Sequence, residues 1–206
     1  MGMFRQGERK FAFAPYELMI KLRDFGNCKN FVESGTCHGT TAEWAARHFQ
    51  KVYTCEISKE YFDISKNKLD KYNNLEIVYE NSLSYFPRVI PNLEEPGIFW
   101  LDSHWTMGKS YGENDQHPLL REIDIILSLS KVQHILFIDD LRYIMYPTDK
   151  DKIYEWPSIV DTIGQINKYE NNKYFIFAIQ DCLVAVPNTD EYKKFIANYR
   201  PDQLMY

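Results

Sequence analysis

Phe31-Val32-Glu33-Ser34-Gly35-Thr36-Cys37-His38-Gly39-Thr40-Thr41-Ala42-Glu43 passes from an apolar run, through an acid and two glycines, into a segment that can open a helix. The apolar start reads as a strand and the glycines as a tight turn. Thr40 and Glu43 have the spacing of a capping box, each side chain reaching a free amide of the first helical turn. The spacing predicts a helix over 41–49 whose free amides and positive dipole end face the turn. Gly35 and Gly39 allow positive φ and carry no side-chain bulk, so a ligand can approach the backbone.

Two cofactor classes use such a turn. A dinucleotide fingerprint requires G-x-G-x-x-G. Here Cys37 stands two positions after Gly35 and Thr40 five positions after it. The fingerprint fails twice, which disfavours a Rossmann oxidoreductase. What remains is acid-x-Gly-x-x-x-Gly with Glu33 at the strand end. This resembles the first motif of class I S-adenosylmethionine (SAM)-dependent methyltransferases, with Cys37 where many members carry a glycine. The resemblance puts the acid near the methionine part of the cofactor and the glycines under its ribose and amino-acid portion.

A second acid, Glu56, closes the next apolar stretch over 51–56. A carboxylate at the end of strand two can accept both hydroxyl hydrogens of a ribose. Ser58 can cap the following helix, where Tyr61, Ile64, Leu69 and Tyr72 recur at roughly helical spacing. After a third strand over 75–79 come Asn81 and Ser82, where the family places a polar pair beside the adenine. The resemblance implies cofactor contacts from Glu33, Gly35, Thr36, Gly39, Thr40, Thr41, Glu56, Ile57, Asn81, Ser82 and Asp102. The alternative for Glu33 and Glu56 is a pair of solvated strand-end acids.

Composition sets the frame. A chain of 206 residues with 45% hydrophobic and 16% aromatic content can bury one sizeable core. Its net charge of −5 gives no support for a nucleic-acid footprint. No apolar run has the length of a membrane span. The residues Met1 to Gln6 do not form a signal peptide, and Gln6 departs from the myristoylation pattern. Cys28, Cys37, Cys55 and Cys182 lack C-x-x-C spacing and read as reduced thiols of a cytoplasmic protein.

The remaining pattern alternates. A helix over 16–25 precedes strand one at 30–33. Strand four is expected over 97–102, a helix from near Pro118 to 130, and strand five over 134–139. A polar loop then leads to a helix over 158–169. Two strands follow, at 174–179 and 182–186, separated only by Gln180-Asp181. A two-residue connection makes that pair antiparallel, because parallel strands need a long crossover. A short helix over 190–198 ends the pattern. Strands alternating with helices imply an α/β fold with a mostly parallel sheet and helices on both faces. A seven-stranded sheet with one reversed strand is the Rossmann-like class I methyltransferase architecture. The resemblance therefore implies a single methyltransferase domain over 1–206: an N-terminal helical segment (1–29), a core (30–187) and a C-terminal helix and tail (188–206).

Ligands of such sheets bind outside the carboxyl ends of the strands. Asp102 ends strand four, and Asp139 with Asp140 ends strand five. Five carboxylates then crowd one edge, and like charges at close range must be compensated. The expectation is that Asp102, Asp139 and Asp140 share a hard cation, magnesium first, then manganese or calcium. Convergence of Asp139 and Asp140 requires that the strand has already ended, since adjacent strand residues face opposite ways. The alternative is that Asp140 caps a turn or pairs with Arg142. His104 lies two residues past Asp102. It can act as a base toward a substrate hydroxyl or be a structural histidine, and Asp102 or Asp139 could be the base instead.

These acids and His104 resemble metal-dependent sugar O-methyltransferases, including macrolide deoxysugar enzymes and those of capsule and glycan gene sets. In macrolide-type members the acids bind magnesium and a nearby histidine is the base. The resemblance implies a sugar or glycan hydroxyl as the methyl acceptor. The loops carry Trp105, Tyr111, Tyr143, Tyr146, Tyr154 and Trp156, aromatic surfaces suited to sugar C–H faces or to loop packing. Lys109, Arg142 and His117 could meet an anionic group or simply be solvated. His38, His48 and His134 read as packing or surface residues. The segment 1–15, with Phe4, Phe11 and Phe13, could cover the site or pack on a second subunit of a homo-oligomer. The remaining alternatives are a metal-dependent methyltransferase of a catechol or other small molecule, and a SAM- or nucleotide-binding protein without catalysis.

Overall fold

The computed structural model describes residues 14–104, 117–146, 156–169 and 173–200. The elements are α1 (Tyr16–Phe25), β1 (Asn30–Ser34), α2 (Thr40–Ala46), β2 (Lys51–Glu56), α3 (Lys59–Leu69), β3 (Leu75–Tyr79), α4 (Ser82–Val89), β4 (Gly97–Leu101), α5 (Leu119–Leu129), β5 (Ile135–Ile138), α6 (Leu141–Met145), α7 (Ile159–Ile166), β6 (Tyr174–Ile179), β7 (Cys182–Pro187) and α8 (Asp190–Asn198).

One seven-stranded sheet has the order β3-β2-β1-β4-β5-β7-β6. β1, β2, β3, β4 and β5 pair in parallel, while β7 runs antiparallel to both β5 and β6. The strand order reverses between β1 and β4, and this switch point is where an open α/β sheet leaves a crevice. The central strands β4 and β5 are apolar along their whole length because both faces are covered. β1, β4, β5 and β7 are buried at every position. Val32, Phe99, Leu101, Leu136 and Ile138 face one core with Tyr85, Phe86, Ile123, Ile126 and Ile166 from α4, α5 and α7. Phe31, Ile98, Trp100, Ile135 and Phe137 face the other with Leu18, Met19, Leu22 and Ala45 from α1 and α2.

Several local expectations are corrected. The capping box at Thr40 does not form. Gly39 is the N-cap, in the left-handed region at φ 68, and no side chain caps the helix. Glu43 instead turns outward to Arg47, Lys68, Lys71 and the Tyr72 hydroxyl. The hydrogen bond from Lys71 leads the effects that hold its carboxyl down at about 2. α2 also ends at Ala46, short of 49. Ser58 does cap α3, accepting from the Tyr61 N–H at 3.5 Å. The buried face of that helix, however, is Ser65 and Leu69, with Ile64 45% exposed.

Two helices were not anticipated. α4 follows Asn81, whose side chain accepts from the Leu83 N–H at 2.8 Å, and it carries Pro87 in its interior. A proline there breaks the helical pattern on paper. α6 is short and begins directly after the Asp139-Asp140 pair. Among the described residues, no helix is long and apolar enough to cross a membrane.

Candidate functional site

The first half of the site is the β1–α2 turn. Glu33, at the end of β1, is only 1% exposed and accepts from the Thr54 hydroxyl at 2.6 Å. Thr54 in turn contacts the Thr36 hydroxyl at 2.5 Å. Burial pushes the Glu33 carboxyl up to about 8, against the pull of the Thr54 hydrogen bond and reinforced by the charge of Glu56. A solvated strand-end acid is therefore excluded for Glu33. It is excluded for Glu56 as well, which is 7% exposed. One Glu56 oxygen accepts the Cys37 N–H and the other the Ser58 N–H, both at 2.8 Å. A carboxylate has about four acceptor sites, so two backbone bonds leave capacity for ligand hydroxyls.

The turn is held by its backbone. Gly35 and Thr36 donate their N–H groups to the Cys55 carbonyl at 3.1 and 3.2 Å. Gly35 sits at φ 84, and a Cβ there would lie 2.5 Å from the Asp102 carbonyl oxygen. Glycine is thus required for the turn to lie against the end of β4. Cys37, two positions after Gly35, adopts φ 46. Its side chain is exposed. Thr40 and Thr41 open α2, and the Tyr16 hydroxyl lies 3.4 Å from Thr41 Oγ1. Ile57 connects β2 to the Ser58 cap.

Asn81 and Ser82 sit at the end of β3, but their side chains are engaged. The Asn81 oxygen caps α4. Ser82 is 5% exposed, and its hydroxyl faces Glu122 rather than the crevice. Glu122, on α5, is itself 1% exposed and accepts from the Ser103 hydroxyl at 2.7 Å. An acid on an amphipathic helix ordinarily marks the solvent face, and nothing local to α5 signals otherwise.

The second half of the site lies at the ends of β4 and β5. The β5 ladder stops at Ile138, and Asp140 takes φ 54, so Asp139 and Asp140 are already outside the strand. His104, 6% exposed, places Nε2 2.6 Å from Asp140 Oδ2 and 3.4 Å from Asp102 Oδ1. Arg142 brings its guanidinium to 2.6 Å from Asp140 and also pairs with Asp181, from the β6–β7 hairpin. The side-chain bond from His104 leads the effects holding the Asp140 carboxyl below the usual range, against its burial. Asp102 is driven well above that range, first by burial and then by the charge of Asp139. Burial and the charge of Asp140 push Asp139 up to about 6, and the Cys182 thiol donates to it at 3.5 Å.

The three expected metal ligands are therefore distributed differently. Asp102, His104 and Asp140 form one potential donor set, and Asp139, Asp140 and Asp181 a second, with the donor atoms of each within 4.8 Å of one another. Asp140 belongs to both; Asp102 and Asp139 fall in different sets. The second set is all oxygen, which suits a hard divalent ion, but two of its members already bind the Arg142 guanidinium. The first set contains an imidazole nitrogen, which widens the choice toward manganese and other transition ions.

An aromatic cluster stands over these acids. The His104 ring stacks on His117 at 5.6 Å, and Trp156 meets His117 edge-on at 4.5 Å. Tyr143 lies 6.0 Å from His104 and 5.9 Å from Trp156. Burial, then the charge of His104, hold the His117 imidazole down at about 3. Tyr146 is 75% exposed and takes no part. His134 lies at the opposite end of the sheet, where its Nδ1 accepts the Gly97 N–H at 3.0 Å. Trp105, Lys109, Tyr111, Tyr154 and the segment 1–13 lie outside the described residues.

No protein-family model matches the chain. A 65-residue stretch is 42% identical to the ribosomal RNA small subunit methyltransferase A of Caldanaerobacter subterraneus subsp. tengcongensis. That stretch is 32% of this chain and spans only 24% of that protein. Among solved structures, the O-methyltransferase of Bacillus cereus in complex with SAH has a TM-score of 0.62 at 17% identity, covering 84% of this chain and 80% of that one. The O-methyltransferase TomG of Streptomyces achromogenes, involved in tomaymycin synthesis and solved with SAM, has a TM-score of 0.55 at 12% identity, covering 91% and 92%. At such identities the likeness is one of fold: the chain has the Rossmann-like class I methyltransferase fold.

Proposed function

We propose that this chain is a SAM-dependent O-methyltransferase that acts on a hydroxyl of a sugar or glycan, assisted by a divalent metal. The observation that carries the reading is the juxtaposition at one sheet edge of the Glu33–Glu56 turn and the Asp102–His104–Asp140 group. Glu56 accepts the ribose hydroxyls through the lone pairs its two backbone bonds leave over. Gly35, Thr36, Gly39, Thr40 and Thr41 present backbone to the amino-acid and ribose portions. Glu33 supports the turn from beneath through Thr54. Ile57, Asn81, Ser82 and Asp102 border the adenosine, with Asn81 and Ser82 contributing through backbone because their side chains are engaged elsewhere.

Bound in the turn, SAM supplies an electrophilic methyl group on a sulfonium and leaves as a neutral thioether. The chain's own task is to hold the acceptor hydroxyl in line with that methyl group and to take its proton. The His104–Asp140 pair and Asp102 are the groups available for the proton, and the raised affinity of Asp102 for protons suits it to the role. A divalent ion would be held by Asp102, His104 and Asp140, or by Asp139, Asp140 and Asp181, and would lower the pKa of the acceptor hydroxyl. His117, Tyr143 and Trp156 supply flat surfaces for a sugar ring. The imidazole of His117 stays neutral at working pH and can exchange hydrogen bonds with hydroxyls.

A methyl-transfer screen over monosaccharide and glycan acceptors, with and without magnesium or manganese, tests this. Turnover on a sugar hydroxyl that EDTA removes is the expected result. EDTA-insensitive turnover would refute the metal role. Turnover confined to catechols would move the acceptor class, and SAM binding without turnover on any acceptor would favour a binding protein.

A further inference from the structure

Glu122 is a buried carboxylate that the proposed reaction does not use. Its neighbours on the inner face of α5 are Leu119, Ile123, Ile126 and Leu127, all packed into the sheet core. A carboxylate among them costs free energy that a methionine or leucine would not. Packing alone does not account for it.

Its hydrogen-bonding surroundings do. The Ser103 hydroxyl donates to Glu122 at 2.7 Å, and the Ser82 and Ser34 side chains lie beside the same carboxyl. Each serine adjoins a different part of the candidate site. Ser34 immediately precedes the Gly35 turn, Ser82 opens α4 beside Asn81, and Ser103 lies between Asp102 and His104. Cys55, which ends β2 beside Glu56, senses the same charge. One side chain thus reaches the ends of β1 and β4 and the start of α4 from below, without access to solvent.

We infer that Glu122 is a positioning residue: through its hydrogen bond from Ser103, and packed beside Ser82 and Ser34, it fixes the floor shared by the methyl-donor turn and the Asp102–His104 segment. Its effect on SAM and on turnover rests on the methyltransferase reading. Its effect on the order of those three segments does not. The hydrogen bond from the Ser103 hydroxyl locks a rotamer and a loop backbone that an apolar side chain would leave free to move.

The test compares Glu122→Met, which fills the volume but accepts nothing, with Glu122→Gln, whose carbonyl oxygen still accepts from Ser103. Amide exchange over 31–37, 80–84 and 102–104 is read beside melting temperature and SAM affinity by calorimetry. For Glu122→Met, exchange should quicken about tenfold in these three segments and SAM affinity should fall about tenfold, while exchange in α1 and α8 stays unchanged. Glu122→Gln should stay within about threefold of the natural chain on both readouts. A Met variant with unchanged exchange over 102–104 and unchanged SAM affinity would overturn the inference. If the natural chain binds no SAM, the methyl-donor reading falls, and the exchange pattern alone still decides the role of Glu122. If Glu122→Met does not fold, Ser103→Ala decides. Faster exchange confined to 102–104, with lower turnover at an unchanged SAM dissociation constant, supports the inference. Unchanged exchange there overturns it.

Discussion

The two halves of the candidate site are built on different physics. The β1–α2 turn is fixed by backbone: Gly35 and Thr36 bond to Cys55, Glu56 ties Cys37 to Ser58, and the missing Cβ of Gly35 lets the turn lie on the Asp102 carbonyl. The acid edge is fixed by charge. Asp140 is shared between His104 and Arg142, Arg142 reaches on to Asp181, and Asp102 and Asp139 repel each other. A scaffold of backbone bonds stays in place whatever its ligand. A balance of side-chain charges responds to pH and to any cation that enters, which is what a site for proton transfer requires.

The largest expected effect probes the buried acid beneath the backbone-built half. The Glu33 carboxyl is raised from 4.5 to about 8 by burial. A raised group contributes stability that is complete below its unfolded value and lost as pH rises through its folded value. The natural chain should therefore lose stability relative to Glu33→Gln between about pH 4.5 and about pH 8, by on the order of 5 kcal/mol at most. Urea unfolding of both chains across that range checks it. Parallel curves would mean that Glu33 is solvated in solution.

Gly35→Ala attacks the same half through geometry. A φ of 84 and a 2.5 Å approach to backbone oxygen give an expected loss of about 3 kcal/mol in denaturant unfolding. An unchanged midpoint would show that the turn can relax away from β4. Asp181→Ala tests the charge-built half. It removes the second partner of the Arg142 guanidinium and an acceptor for the Arg142 N–H. Arg142 is 47% exposed, so the cost should be only about 1 kcal/mol. The telling readout is faster amide exchange over 141–146, with exchange at the Gly35 turn unchanged. Cys37→Gly is the smallest test: relief of the left-handed conformation at φ 46, less the added chain entropy, should stabilise by about 0.5 kcal/mol.

The same division governs what could be read in advance. The β1–α2–β2 half lies within residues 30–58, and its apolar runs, glycines and strand-end acids are local signals. The mostly parallel sheet followed from alternation, and the antiparallel β7 from a two-residue hairpin. What failed locally was side-chain choice. Thr40 and Glu43 have capping spacing, but Gly39 takes the cap and Glu43 finds Arg47 just past α2, Lys68 within α3 and Lys71 just past α3. The acid edge is assembled from residues 102–104, 122, 139–142 and 181, and its connections are long-range. α6 is tethered by the carbonyl and carboxylate of Asp181, which accept the Leu141 and Arg142 N–H groups at 2.8 and 3.0 Å. No local pattern encodes that bond. Nor could periodicity show that Glu122 points inward to Ser103.

Calorimetric titration of SAM and NAD into the natural chain and into Glu56→Ala tests the central claim most directly. The account predicts that SAM binds, that NAD does not, and that Glu56→Ala weakens SAM by about tenfold or more, since both ribose acceptors and the Cys37 and Ser58 amide bonds are lost together. Tight NAD binding without SAM binding, or a folded Glu56→Ala variant with undiminished SAM affinity, would contradict it.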